Sequence, residues 1–255
     1  MTDKLLESRL TDLARSAARG IPSATAFLTS EERADAEEFL RRAHYRYAVS
    51  GGYNDAERSL IVLLPDYLEP EYINWDDFFV PIGILTSGYV DLSHRSYLGA
   101  LIALGIDRSA MGDILQFPFG AVVYVLPTIA DFLLAVPSPL QRVGADKVRI
   151  TTCDQPPATR NAIAEYQRKF EPFSDVVASP RLDCAVSSFA RTSREKAKAM
   201  ILSEQVSVNH RVVNHPDAAV SSGDVLSIRG IGKFGIVSLK LTQKERIRIE
   251  AKRYV

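Results

Sequence analysis

The chain has 255 residues, 46% apolar and 24% charged, a balance that excludes global disorder and, at this length, fits two or three globular domains. Its formal neutrality is a cancellation: residues 181–255 hold 14 Lys+Arg against 7 Asp+Glu, or +7, and residues 1–180 hold 17 against 24, or −7. A compact basic region on an acidic body points to a polyanion partner.

Residues 3–19 predict an amphipathic helix with Leu6, Leu10, Leu13 and Ala17 on one stripe, ended by Gly20-Ile21-Pro22. Thr29, with Glu32 three residues on, has the capping-box spacing and predicts a second helix running to about Val49. Gly51-Gly52 breaks that pattern, and Ser59–Leu64 reads as a short apolar strand stopped by Pro65. Residues 1–75 are thus expected to form a mainly helical N-terminal region. From residue 76 to 157 the pattern alternates. Phe78–Thr86 reads as a strand and His94–Leu104 as an apolar helix, with Asp91 or Ser93 as its cap. Asp113–Phe117 and Ala121–Leu126 read as strands joined by Pro118-Phe119-Gly120, Thr128–Ala135 as a helix and Lys147–Thr152 as a strand. The order βαββαβ is the ferredoxin-like one, which by itself implies no function. Residues 158–180 are expected to be a helix followed by a linker from Pro172 to Pro180. The fold class is therefore α+β, in four stretches: 1–75, 76–157, 158–180 and 181–255.

No run approaches the length of a membrane-spanning helix; the most apolar one, Gly120–Val136, is broken by Pro127 and Asp131. The N-terminus lacks the apolar core of a signal peptide. Cys153 and Cys184 stand far apart with no CxxC or nearby His, so reduced thiols are expected rather than a disulfide or zinc site. These features together lead to an expected cytoplasmic location, no membrane insertion, no metal and no cofactor. Neither a P-loop nor a GxGxxG after a strand is present.

In the basic region, Arg181-Leu182-Asp183 opens a short helix, and Thr192 with Glu195 has capping-box spacing for a second that runs to about Ser203. Ala197, Met200 and Ile201 form its inward stripe. Arg194 and Lys198, four apart, share a face, with Lys196 to one side. Arg191, Ser193 and Arg194 gather where free N–H groups and the helix dipole favour a phosphate. Val206–Asn209, a turn at His210-Arg211 and the strand Val225–Arg229 follow. Arg229-Gly230-Ile231-Gly232-Lys233-Phe234 then combines cations with glycines that permit close backbone approach.

Leu182-Asp183, Thr192-Ser193-Arg194-Glu195-Lys196-Ala197, Val206-x-Val208-Asn209, Gly223-Asp224-Val225 and Arg229-Gly230-x-Gly232-Lys233-Phe234 together resemble the αL RNA-binding domain named after the ribosomal protein S-four. The departure is His210, where that family carries Gly in the turn. Other motifs widen the resemblance: Phe27-Leu28-Thr29, Gly51-Gly52-Tyr53, Ala56-Glu57-Arg58, Leu63-Leu64-Pro65-Asp66-Tyr67, His94-Arg95-x-Tyr97-Leu98-Gly99-Ala100-Leu101, Leu104-Gly105-Ile106-x-Arg108 and Gly112-Asp113-Ile114. The chain is similar to the YlmH family of bacterial RNA-binding proteins over nearly its whole length. The resemblance implies a second RNA-binding domain in the middle region and association with the large ribosomal subunit. It also implies contact with rRNA and with peptidyl-tRNA during rescue of stalled ribosomes, and a link to cell division.

The candidate RNA-binding residues are Arg181, Arg191, Ser193, Arg194, Lys196, Lys198, Arg229 and Lys233; His94 and Arg95 form a second candidate site in the middle region. Tyr72, Trp75, Phe78 and Phe79 could stack bases, but an interior apolar role is the simpler expectation. A pseudouridine synthase would place its catalytic Asp in an Arg-Leu-Asp stretch, yet the residues after Asp183 lack the rest of that motif. A non-catalytic, monomeric RNA binder is expected. The alternatives are an interaction protein of cell division and an RNA-modifying enzyme.

Overall fold

The computed structural model describes residues 4–88, 92–153, 157–166 and 170–254. The chain divides into two compact units, 1–166 and 167–255. Among the described residues it is a mixture of α-helices and three sheets, all of whose pairings are antiparallel, an α+β protein. No helix there is long and apolar enough to cross a membrane.

The first unit begins with α1 (Lys4–Ala18), β1 (Ser23–Ala24), α2 (Ser30–Arg42), β2 (Tyr47–Ser50) and β3 (Leu60–Leu63). The capping box at Thr29 and Glu32 is formed on both sides. The second helix stops seven residues before Val49. His44 turns the chain at φ 56°, and Tyr47-Ala48-Val49 pairs with Ile61–Leu63 instead, where aromatic and β-branched side chains pack better than on a helix. The unit continues with β4 (Val80–Thr86), α3 (His94–Ala103), β5 (Met111–Phe117), β6 (Gly120–Val125), α4 (Pro127–Leu134), β7 (Arg142–Val143), β8 (Asp146–Thr152) and α5 (Pro157–Ala164). Strand order in the second sheet is β5-β6-β4-β8-β7.

β3 is buried along its whole length because it has a core on each face. Ile61 and Leu63 pack with Leu10 and Ala14 of α1 and Leu40 of α2. Leu60 and Val62, pointing the other way, pack with Phe27, Phe79, Leu115 and Tyr124. The opposite face of the five-stranded sheet, Ile82, Ile84, Val123 and Val125, is covered by Tyr97 and Leu101 of α3 and Leu133 of α4. The regions expected at 1–75 and 76–157 thus share a core. Trp75 and Phe78 lie half-buried against it and Phe79 within it, whereas Tyr72 is 80% exposed.

The polar motifs around Gly51 and Gly112 tie these layers together. Asp113 accepts hydrogen bonds from Tyr53 Oη at 2.7 Å and the Glu57 amide at 2.6 Å. Arg58 donates to the carbonyls of Met111 and Phe27, and Arg108 to those of Met111 and Gly112. Gly112 itself has no room for a side chain, since a Cβ would lie 2.7 Å from Phe27.

The second unit comprises β9 (Phe170–Val177), α6 (Leu182–Phe189), α7 (Arg194–Leu202), β10 (Val206–Val208), β11 (Arg211–Val212), β12 (Val225–Ile228), β13 (Gly232–Leu241) and β14 (Ile247–Tyr254). Sheet order is β11-β10-β12-β13-β14-β9. The stretch expected to be a linker at Pro172–Pro180 is largely strand β9, paired with β14 in an unbroken register from Tyr254↔Phe170 to Ile247↔Val177. Proline is tolerated because β9 is an edge strand, so a residue there can face outward with no donor to offer. The helix expected over 158–170 is shorter than that, and residues 167–169 lie outside the described residues. Leu182, Val186, Phe189, Ala197 and Ile201 pack onto Leu226, Phe234, Ile236 and Ile249 of the sheet. Phe189 stacks on Phe234 at 4.4 Å with Phe173 edge-on to both. Cys153 and Cys184 are buried and unbridged.

Candidate nucleic-acid interface

The eight cationic and capping residues singled out near the C-terminus all belong to the second unit; His94 and Arg95 belong to the first. α6 ends in a Schellman pattern: the Arg191 amide donates to the Ser188 carbonyl at 3.2 Å and the Thr192 amide to that of Ser187 at 3.0 Å. Such an ending needs one left-handed residue, ordinarily glycine. Here it is Arg191, at φ 49°. A long side chain is thereby held, at some conformational cost, on the turn between the two helices.

α7 then starts at Arg194, capped by Ser193, whose hydroxyl accepts from the Lys196 amide at 3.3 Å. The cap is one residue later than the Thr192–Glu195 spacing suggests. Thr192 is instead committed to α6 through its carbonyl, which accepts from Ser187 Oγ at 2.7 Å. Arg191, Arg194 and Lys196 are exposed. Lys198 donates to Glu195 at 3.1 Å, an exposed pair that leaves the ammonium largely free to exchange partners.

Arg181 and Arg194 converge on one carboxylate. Asp183, fully buried on α6, accepts from Arg194 Nη2 at 2.7 Å and from Arg181 Nε at 3.3 Å. Burial pushes the Asp183 carboxyl up, but the hydrogen bonds from Arg194 and then Arg181 outweigh it and hold the group below its ordinary range. Both guanidinium groups remain nearly half-exposed. Each therefore has donors left for a second anion.

A groove of about 320 Å³ opens beside this turn, with Arg191, Arg194, Ser187, Ser188 and Thr192 on its helical side and Arg246 across from them. Asp175 also lines it but is engaged by Ser188 Oγ at 2.6 Å. Arg246, which donates to the Val176 carbonyl at 3.2 Å, was not among the expected residues. Its place in the sequence, 52 residues after Arg194, carries no local signal, and only the β9–β14 pairing brings it here. Three guanidiniums around a small groove can take a phosphate group through bidentate, charge-assisted hydrogen bonds.

Arg229 sits in the three-residue turn between β12 and β13, exposed, with Gly230 at φ 77°. Lys233 is on β13 rather than in that loop, paired with Ser227, its ammonium 4.8 Å from the centre of the Tyr254 ring. The Val206–Asn209 and Gly223–Val225 motifs hold each other. Asn209 donates to Asp224 at 2.7 Å and accepts from the Val225 amide at 2.9 Å. The turn lies at Asn209-His210, one residue earlier than expected, and both residues have positive φ, 50° and 68°, as a two-residue hairpin loop requires.

In the first unit, His94 and Arg95 are the exposed first residues of α3, which Ser93 caps through the Ser96 amide. Asp91, the alternative cap, lies outside the described residues. Among those residues, no group of three or more His, Cys, Asp or Glu is placed to hold a metal ion.

Residues 82–156, which span most of the five-stranded sheet with His94 and Arg95, match the family model described as "Putative RNA-binding domain in YlmH". The chain is 31% identical over 230 residues to a Bacillus subtilis (strain 168) protein named ribosome-associated protein quality control protein P2, covering 90% of this chain and 86% of that one. A solved structure, cell division protein ylmH from Streptococcus pneumoniae, aligns at 18% identity with a TM-score of 0.47, covering 60% of this chain and 93% of that one.

Proposed function

We infer the function from family and geometry together: the chain belongs to the YlmH family, and we propose that it is an RNA-binding protein that associates with ribosomes in quality control of translation. At finer grain, the proposed ligands are rRNA and tRNA on the large subunit, with peptidyl-tRNA held while a stalled ribosome is cleared. The second unit is read as an αL, S-four-like domain that grips phosphates. The five-stranded sheet is read as ferredoxin-like, supported by its β5-β6-β4-β8 order around two helices, with His94 and Arg95 as its RNA contacts.

The observation that carries the reading is the groove beside the α6–α7 turn, which Arg191, Arg194 and Arg246 line together. The left-handed turn only places Arg191, as His44 and Glu204 are placed after α2 and α7; the gathering of three guanidiniums on one groove is what suits a phosphate. The role is proposed to be non-catalytic. Asp183, the one carboxylate in an Arg-Leu-Asp setting, is buried and doubly hydrogen-bonded, and so is withdrawn from any substrate.

Arg191→Gly tests this directly, because it removes the cation while easing the backbone. Affinity for labelled total tRNA and for large-subunit rRNA is expected to fall several-fold, and log K against log salt to flatten by about 0.7–0.9 for each phosphate that is no longer gripped. Unchanged affinity and slope in a folded variant would reject the site.

A further inference from the structure

We propose that the β13–β14 hairpin carries a second RNA-backbone site, continuous with the first through Arg246. A groove of about 690 Å³ at its tip is lined by Lys240, Lys244, Arg246, Arg248 and Glu250, four cations to one carboxylate. Arg246 lines this groove and the one beside α7 alike. The two form one track from the helix turn to the hairpin.

Register makes the case that these charges serve a ligand. Lys240 and Arg248 are directly opposite each other across the ladder, an arrangement that costs stability when the two charges have the same sign. Glu250 offsets only part of it. It accepts from Ser238 Oγ at 2.5 Å and Lys240 Nζ at 3.2 Å, and these bonds, Ser238 first, hold its carboxyl below the ordinary range. Lys244 and Arg248 are exposed and, among the described residues, make no side-chain hydrogen bond; Arg248 also helps to hold the Glu250 carboxyl down. The tip is also held in shape, with the Thr242 amide donating to the Arg246 carbonyl at 2.7 Å and the Arg246 amide to Thr242 Oγ1 at 3.2 Å. Positioned cations with donors to spare, facing an open groove, suit the repeating phosphates of a nucleic-acid strand.

This inference rests on the RNA-binding reading, and its test separates the two. The double variant Lys244→Gln/Arg248→Gln changes only exposed side chains. With labelled total tRNA and large-subunit rRNA as probes, it is expected to bind about tenfold more weakly at low salt and to flatten the salt slope by about 1.4–1.8, the share of two phosphates. The charge-retaining pair Lys244→Arg/Arg248→Lys is expected to bind as wild type. If the Gln pair keeps wild-type affinity and slope while Arg191→Gly loses both, the hairpin site is wrong and the helix-turn site stands. If the Gln pair weakens and Arg191→Gly does not, the hairpin is the RNA site and the helix turn is not. Wild-type protein that binds neither RNA overturns both.

Discussion

Arg194 and Asp183 are joined by a 2.7 Å charge-assisted hydrogen bond in which the carboxylate is fully buried and the guanidinium about half-exposed. One arginine thus faces two ways: its inner edge neutralises a charge inside the second unit, and its outer edge faces the groove. Charge reversal at Arg194 would set a carboxylate against Asp183 and destabilise the unit, so loss of RNA binding in that variant would say little about direct binding.

Asp183→Asn is expected to lower stability by about 1–3 kcal/mol at neutral pH. Removing one partner of a fully buried pair costs more, but here both arginines can return to water. Because the folded carboxyl titrates below its ordinary value, its contribution is complete above the unfolded pKa of about 3.9 and disappears as pH falls through the folded value. Urea melts at pH 7 and pH 3 should show a larger wild-type advantage over the Asn variant at the higher pH. An equal gap at both would refute the pairing.

Arg191→Gly should leave the melting temperature nearly unchanged, because relief of about 1 kcal/mol of left-handed strain is set against a similar entropy cost of glycine. Arg194→Gln, by contrast, is expected to lower both melting temperature and RNA affinity. Calorimetry on the two proteins side by side distinguishes a residue that serves the ligand alone from one shared between fold and ligand.

At the Asn209-His210 turn, His210→Val is expected to be about 1–2 kcal/mol less stable than His210→Gly, since a β-branched residue resists φ 68°. Chemical denaturation of both variants is the measurement; a neutral valine would show that the turn adopts another form.

Gly112→Ala should cost about 1–3 kcal/mol by forcing Phe27 from its place. Asp113→Ala should cost at least as much by leaving the Tyr53 hydroxyl and the Glu57 amide without their acceptor. In both variants, amide exchange should rise in β3 and β5 together, because the same residues join the two sheets. Exchange confined to one strand would contradict that shared core.

Local physics was legible in the sequence. The Thr29–Glu32 box, the strands flanking Pro118-Phe119-Gly120 and the inward faces of α6 and α7 depend on neighbours within a few residues, where capping, periodicity and turn chemistry act. The basic surplus of 181–255 and the Arg191–Lys198 cluster were likewise fixed by chain order. What depended on partners distant in sequence was decided only by the tertiary structure. Pro172 reads as a linker until β14 makes β9 an edge strand. Tyr47–Val49 continues a helix until β3 offers a sheet. Asp183 is an ordinary acid until Arg194 folds over it, and Arg246 has no assignable role until β9 brings it across from Arg191. A hydrogen-bonded ladder and a buried charge draw their free energy from pairings that chain order does not specify, and these pairings set the groove.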